Sequence, residues 1–216
     1  IESGECVLVM RGHEGDVKCV DITVDGSAVF SAGVDGTIKK WDAEAGVELL
    51  TLEGHGHGVM CVRISLDGQV VCSGGADKMG GTVRLWNGVT GAPSHVMRGH
   101  NERVDAVTLN VDASRVYSTS WDKSIREWDA ASGECFRTLL GHTDGVMSVC
   151  LSTDEKYLYS GSSDYTVGVW DVKESWCGEW RGTLSGCIRS PNCRTGTFYR
   201  AVMIPPSKSG MPSLAS

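Results

Sequence analysis

Residues 12–42 read GHEGDVKCVDITVDGSAVFSAGVDGTIKKWD, and this stretch decides the fold because later parts of the chain repeat its pattern. Its opening Gly-His pair returns at residues 54–55, 99–100 and 141–142, after intervals of 42, 45 and 42 residues. Its tryptophan returns three times, after intervals of 45, 42 and 42 residues. Self-similarity at a period of about 40 residues indicates an array of equivalent structural units.

Each unit keeps four polar or aromatic residues in one register. The aspartate always follows the histidine by 22 residues, and a serine always precedes that aspartate by four. The sets are His13, Ser31, Asp35 and Trp41; His55, Ser73, Asp77 and Trp86; His100, Ser118, Asp122 and Trp128; and His142, Ser160, Asp164 and Trp170. In the second unit DKMGGT replaces DGT, which predicts a three-residue loop insertion that leaves the strands intact.

Each unit also reads as four short strands. In the first unit these are VKCVDI, SAVFSA, TIKKW and VELLTL, and Gly, Asp or Ser bounds each run. No stretch sustains the 3.6-residue periodicity of a helix, and 28 glycines can supply many tight turns. The sequence therefore predicts an all-β protein.

The Gly-His pair, the turn aspartate and the closing Trp-Asp together resemble the WD40 (β-transducin-like) repeat. The resemblance runs from residue 1 to about residue 172, with Trp86-Asn87 as its one departure from Trp-Asp. It implies an all-β β-propeller with four recognisable blades, which we expect to belong to a larger ring of about seven blades. A closed four-bladed ring, completed by residues 5–11, is the alternative.

The repeat predicts the domain boundaries. Ser3-Gly4-Glu5-Cys6 precedes His13 by the ten residues that separate Ser132-Gly133-Glu134-Cys135 from His142, so we expect residues 1–11 to be an outer strand left from a preceding repeat. The four repeats are expected within residues 12–175, at 12–53, 54–98, 99–140 and 141–175. Residues 176–216 lack the pattern and are predicted to be a disordered tail.

Charge and composition limit the classes of partner. The formal charge of −7 and the pI near 5.3 argue against attraction to nucleic acid or to an anionic membrane. The chain has nine cysteines, and Cys19, Cys61, Cys72 and Cys150 lie in strand-like runs, which favours buried free thiols in a reducing compartment. We therefore expect an intracellular protein, cytoplasmic or nuclear, that binds neither nucleic acid nor membrane.

The recurring Ser, His and Asp resemble a catalytic triad in composition, but four copies that each include a tryptophan favour a structural role. The WD40 resemblance implies that each set forms a buried hydrogen-bond network. Among possible metal ligands, His55 belongs to the repeat and leaves His57 alone, while Cys177, Cys187 and Cys193 lack the spacing of a zinc site. No catalytic residue, metal or cofactor is predicted.

Rigid blades with variable loops favour a protein-binding scaffold, which would join other proteins or peptides in a multiprotein complex. The alternative is a substrate-receptor or regulatory subunit whose effector or enzyme domain lies in preceding sequence. The resemblance implies partner contacts near the central channel, beside the first-strand valine and before the turn aspartate. The candidates are Asp16, Lys18, Met60, Arg103, Asp105, Trp121 and Met147. Each could instead be an ordinary solvated residue, and Trp121 could instead cover apolar surface between blades.

Overall fold

The computed structural model describes residues 4–78 and 80–172, which form four antiparallel sheets in chain order. This confirms the predicted all-β propeller architecture with one sheet, or blade, for each repeat. Within the described residues, no helix is long and apolar enough to cross a membrane. The strands of the first two blades are β1 (Val17–Ile22), β2 (Ala28–Gly33), β3 (Thr37–Asp42) and β4 (Glu48–Glu53), then β5 (Val59–Ile64), β6 (Val70–Asp77), β7 (Gly80–Asn87) and β8 (Pro93–His100).

The third blade has four strands, and the described part of the fourth blade has three. In every blade each strand pairs with the next one along the chain, so simple hairpins build the sheets. These strands are β9 (Val104–Leu109), β10 (Arg115–Ser120), β11 (Ser124–Asp129), β12 (Cys135–Leu140), β13 (Val146–Leu151), β14 (Tyr157–Ser162) and β15 (Val167–Asp171). The predicted tail at residues 176–216 lies outside the described residues.

Equivalent apolar positions fill the space between consecutive blades. Phe30, Ile38 and Leu52 of the first blade pack with Val62 and Trp86 of the second in one buried cluster. The corresponding residues fill the next two interfaces: Cys72, Val83, Met97, Val107 and Trp128, then Tyr117, Ile125, Leu139, Val149 and Trp170. Burying one such side chain stabilises the fold by about 1.5–3 kcal/mol. The recurring sequence therefore produces a recurring interface.

The turn after the second strand needs a left-handed backbone directly after the aspartate in the first, third and fourth blades. The residue after the turn aspartate has a φ of 83° at Gly36, 71° at Lys123 and 68° at Tyr165. Glycine adopts this conformation freely, whereas a residue with a Cβ is strained in it. Lys123 and Tyr165 therefore adopt a strained conformation at a position where the first blade has Gly36.

The cysteines differ in burial. Cys61 and Cys72 are buried, as expected for strand cysteines, whereas Cys150 is exposed, so the expectation of a buried thiol was wrong there. Cys150 follows the core residue Val149, and successive strand residues point to opposite faces. The equivalent position of the second blade carries Arg63, which is also exposed. The position of Cys150 in a strand-like run was therefore not enough to predict whether its thiol is buried.

Candidate functional site

Three of the four polar sets form the same chain of hydrogen bonds. In the third blade, His100 Nδ1 lies 2.8 Å from Asp122 Oδ2, and His100 Nε2 lies 2.8 Å from Ser118 Oγ. The Trp128 indole N–H donates to the same serine oxygen over 2.7 Å. The same links, at 2.7–2.8 Å, join two further sets: His13, Ser31, Asp35 and Trp41, and His142, Ser160, Asp164 and Trp170.

These sets are closed to solvent at the serine. All four serine residues are buried, and each serine oxygen accepts a hydrogen bond from a tryptophan. Burial alone raises the pKa of the Asp122 carboxyl, but hydrogen bonds from His100, Ser124 and the Asn101 amide outweigh it and hold that pKa well below its usual range. A carboxylate with this many donors fixes the turn that carries it.

The second set differs in its histidine–aspartate link. The histidine and tryptophan still bind the serine oxygen. No hydrogen bond joins His55 to Asp77, although both lie in the described part of the chain; Asp77 instead accepts hydrogen bonds from the Gly56 amide and the Thr82 hydroxyl. Arg84 Nη2 lies 3.8 Å from Asp77 Oδ2. Burial, reinforced by the charge of Arg84, lowers the pKa of His55 to about 4. The departure coincides with the insertion that follows Asp77.

The partner-binding candidates lie at the same end of the strands in each blade, where the first strand starts and the second strand ends; we call this end the candidate edge. In the third blade the Trp121 amide donates to the Arg103 carbonyl over 3.2 Å, which joins the start of β9 to the end of β10. Neighbouring blades meet along this edge, since a Cβ on Gly145 would lie 3.2 Å from the Trp121 ring. Equivalent backbone bonds join Val34 to Asp16, Ala76 to Gly58 and Ser163 to Gly145. Lys18, Met60, Asp105 and Met147 occupy the second position of the adjoining first strands.

In the third blade, three candidate side chains at this edge contact one another. The Arg103 guanidinium lies 4.9 Å from the centre of the Trp121 ring, and Arg103 Nε lies 2.8 Å from Asp105 Oδ1. The Asp105 side chain is 7% exposed, and burial raises its pKa against the attraction of Arg103. Trp121 remains 40% exposed. We call Arg103, Asp105 and Trp121 the anchor cluster.

A cavity of about 440 Å³ lies beside the anchor cluster, between the second and third blades. The cavity is open to solvent, so a partner on this face could contact it from outside. The hairpin with the insertion contributes to the cavity wall, which is lined by Ala76, Asp77, Gly80, Asn101, Glu102, Arg103 and Trp121. No group of three or more potential metal ligands among the described residues is arranged to hold a metal ion.

A single repeat model accounts for most of the chain. The family model "WD domain, G-beta repeat" (WD40) matches residues 4–42, 46–87, 91–129 and 133–171. This chain belongs to the WD40-repeat family. Each of the last three matches starts before the outer strand of one blade and ends at the third strand of the next, so the WD40 sequence unit and the structural blade are offset by one strand.

Solved WD40 structures share the fold. "Structure of U3-55K" and "Crystal structure of RRP9 WD40 repeats" each match with a TM-score of 0.71 and 32% identity, over 76% of this chain and 51% of theirs. Over 43 residues, this chain is 44% identical to U3 small nucleolar RNA-interacting protein 2 of Homo sapiens and 37% identical to Protein groucho of Drosophila melanogaster. These alignments cover 20% of this chain and 9% and 6% of the relatives. The chain thus spans about half of the solved WD40 chains it matches.

The WD40 pattern did not predict a buried ion pair within the third blade, on the side that faces the fourth. The Arg137 guanidinium donates to the Glu127 carboxylate, and it also donates to the Val172 carbonyl over 2.7 Å. Burial raises the pKa of Glu127 against the attraction of Arg137. The equivalent residue of the second repeat is Leu85. The residue at this position is Lys40 in the first repeat and Val169 in the fourth, so the repeat pattern carried no clear signal for the pair.

Proposed function

We propose that this WD40 chain is a non-enzymatic scaffold that binds a protein partner at the anchor cluster. The exposure of Trp121 beside a cavity supports this most directly, since tryptophan and arginine are enriched among the residues that dominate binding energy. The remaining candidates along the same edge, from Asp16 to Met147, would form the surrounding contact surface.

The contacts beneath Trp121 support this role because they restrict the ring before a partner arrives. Arg103 stacks on the indole, and Asp105 fixes Arg103 from a nearly buried position. Ordering a mobile side chain on binding costs about 0.5–1.5 kcal/mol, and a ring that is already held avoids much of that cost. Gly145 contributes by leaving room for the indole, because a Cβ there would crowd the ring.

The buried polar sets support a structural role rather than catalysis. Their Ser–His–Asp order of contacts matches that of hydrolases, but the serine hydroxyls are covered and each accepts a tryptophan N–H. A nucleophile has to reach its substrate, whereas a buried and fully bonded set orders the strands and turns that contain it. We infer that these sets stabilise the blades.

The relatives suggest a more specific setting. Two of them, from Homo sapiens and Mus musculus, are named for interaction with U3 small nucleolar RNA. We infer that this chain works in a nuclear RNA–protein particle but contacts protein there. The net charge of −7 disfavours phosphate binding, and carboxylates pair with two exposed cations of the candidate edge, Lys18 with Asp16 and Arg103 with Asp105.

Paired substitutions test the anchor. Partners captured by the full chain are identified by mass spectrometry, and their affinities are then measured with purified proteins. Trp121→Ala should leave the thermal melt nearly unchanged and weaken partner binding by about 2 kcal/mol or more, which is roughly thirtyfold. Val89→Ala, an exposed residue of another loop, is the matched control. Unchanged affinity, or destabilisation as large as that of Trp128→Ala, would contradict the anchor role.

A separate measurement tests the absence of RNA contact. The chain should not bind a labelled U3-type RNA in fluorescence anisotropy measurements at low salt. Binding through phosphates would be seen there and would weaken steeply as salt is raised. Tight, strongly salt-dependent binding would show that the chain contacts RNA directly, and it would require a basic surface that the charge pattern does not indicate.

A further inference from the structure

The residue before the turn aspartate differs in size at the three junctions between neighbouring blades. It is Val34 in the first blade and Trp121 in the third, and each lies against a glycine that precedes the next blade. A Cβ on Gly58 would lie 3.1 Å from Val34 Cα, and a Cβ on Gly145 would lie 3.2 Å from the Trp121 ring. The second blade has Ala76 at this position. The cavity beside the anchor cluster therefore lies at the junction where this residue is smallest.

The insertion of the second repeat shapes the wall of this cavity. A Cβ on Gly80 would lie 2.5 Å from the His100 carbonyl oxygen, and a Cβ on Gly81 would lie 2.2 Å from the Glu102 carbonyl oxygen. Only glycine allows two backbones to approach so closely. The Ser120 hydroxyl also donates to the Glu102 carbonyl over 2.9 Å. These contacts from both blades fix the backbone of Glu102 at the cavity.

The charges around the cavity leave one carboxylate without a partner. Arg103 Nε lies 2.8 Å from Asp105 Oδ1, and Arg84 Nη2 lies 3.8 Å from Asp77 Oδ2. Glu102 is exposed, and its carboxylate forms no ion pair or hydrogen bond with another described residue. The charge left over at this junction is therefore negative, and the net charge of −7 on the chain also attracts cations.

We infer that this cavity receives a basic side chain, arginine or lysine, from the protein partner, a statement of partner chemistry that rests on the proposed function. The cationic end of that side chain pairs with Glu102. Its methylene stem lies against Ala76 and the exposed part of the Trp121 ring, because long basic side chains cover apolar surface with their stems. A charge pair at such a position contributes mainly to specificity and to the rate of association.

Other kinds of side chain fit the cavity less well. An acidic side chain would meet no free cation, because the Arg103 guanidinium is paired with Asp105 and lies on the Trp121 ring. It would also approach the carboxylates of Asp77 and Glu102, and like charges across an interface oppose binding. A purely apolar side chain would remove water from Glu102 without offering a partner in return, which is unfavourable.

Two short peptides test the requirement for charge. One is N-acetyl-Ala-Arg-Ala-amide, and the other has citrulline, which resembles arginine in shape but is neutral. Each is titrated into the ¹⁵N-labelled full chain while the indole N–H signal of Trp121 is followed. The arginine peptide should bind about three- to fivefold more tightly, as expected for an exposed ion pair. Glu102→Gln should remove this difference, whereas Glu44→Gln, at an exposed glutamate near the opposite end of the strands, should keep it.

Three outcomes of the titration would overturn the inference. They are an unchanged Trp121 signal with the arginine peptide, equal affinity for the two peptides, and a difference that persists in the Glu102→Gln variant. None of these would contradict binding of a protein at the anchor cluster.

The partner captured by the full chain separates this inference from the proposed function. Glu102→Gln should weaken its binding about three- to fivefold, and Ala76→Val should weaken it too, because a larger side chain takes up space in the cavity. The Ala76→Val variant should keep its thermal melt, since the first blade has valine at this position. If Trp121→Ala weakens binding but the other two variants do not, the inference fails and the proposed function stands. If Trp121→Ala leaves the affinity intact, the proposed function fails, and the inference about its partner fails with it.

Discussion

Replacing Asp122 with alanine tests how much one polar set stabilises its blade. The carboxylate accepts hydrogen bonds from His100 at 2.8 Å, from the Asn101 amide at 3.0 Å and from the Ser124 amide at 3.0 Å. Water can replace the partner of Asn101, which is exposed, but not those of the buried His100 and Ser124. An unsatisfied buried donor costs about 1–3 kcal/mol, so we expect a loss of roughly 2–4 kcal/mol in the free energy of unfolding.

Urea denaturation followed by tryptophan fluorescence measures this loss as a shift in midpoint. Asp77→Ala is the matched comparison, because the second set lacks the histidine–aspartate hydrogen bond. It should cost less than Asp122→Ala, about 1–2 kcal/mol. If Asp77→Ala costs as much as Asp122→Ala, or if Asp122→Ala costs less than about 1 kcal/mol, the histidine link is not the source of stability we infer.

Three further predictions concern pH, backbone strain and thiol reactivity. Lowering the pH from about 6.5 to about 4 should reduce the free energy of unfolding by roughly 3 kcal/mol through His55. Over this range the imidazole takes up a proton in the unfolded chain but not in the folded one, where its pKa is about 4. Unfolding curves of the His55→Gln variant should lack this pH-dependent loss. Tyr165→Gly should raise the free energy of unfolding by about 0.5–1 kcal/mol in the same assay, since glycine relieves the left-handed strain; an unchanged or lower value would contradict this. A thiol reagent should modify the exposed Cys150 quickly and the buried Cys61, whose raised pKa also disfavours the thiolate, only on unfolding; equal rates would contradict the described burial.

The sequence was sufficient to predict the blades because spacing and chemistry repeat together. Gly-His, the turn aspartate and the tryptophan appear in fixed register, and each contributes to a local strand or turn. The insertion after Asp77 was also placed correctly, since β6 and β7 remain paired up to Asp77 and Gly80. What could not be predicted was its effect on the contact between His55 and Asp77, because that contact depends on distances across the fold.

The candidate site was less predictable for a similar reason. The resemblance placed Arg103, Asp105 and Trp121 near one another, but it did not indicate that Arg103 would stack on the indole and pair with a nearly buried carboxylate. The pair formed by Glu127 and Arg137 was not predicted at all, because the two residues are ten positions apart on neighbouring strands and vary between repeats. Side-chain pairing of this kind follows from tertiary packing, which a repeat pattern does not encode.

The turn at Asp77 lacks the hydrogen bond to a histidine that the other three turns have, so the hairpin of the second blade is where loop length can change most easily. Its aspartate no longer restrains the histidine, so the length of this hairpin can change without disturbing the hydrogen bonds of the serine and tryptophan beneath it. The same hairpin borders the cavity beside Trp121. Evolution, or a protein engineer who grafts a peptide between Lys78 and Gly80, could therefore reshape what the scaffold recognises while the four blades keep their packing.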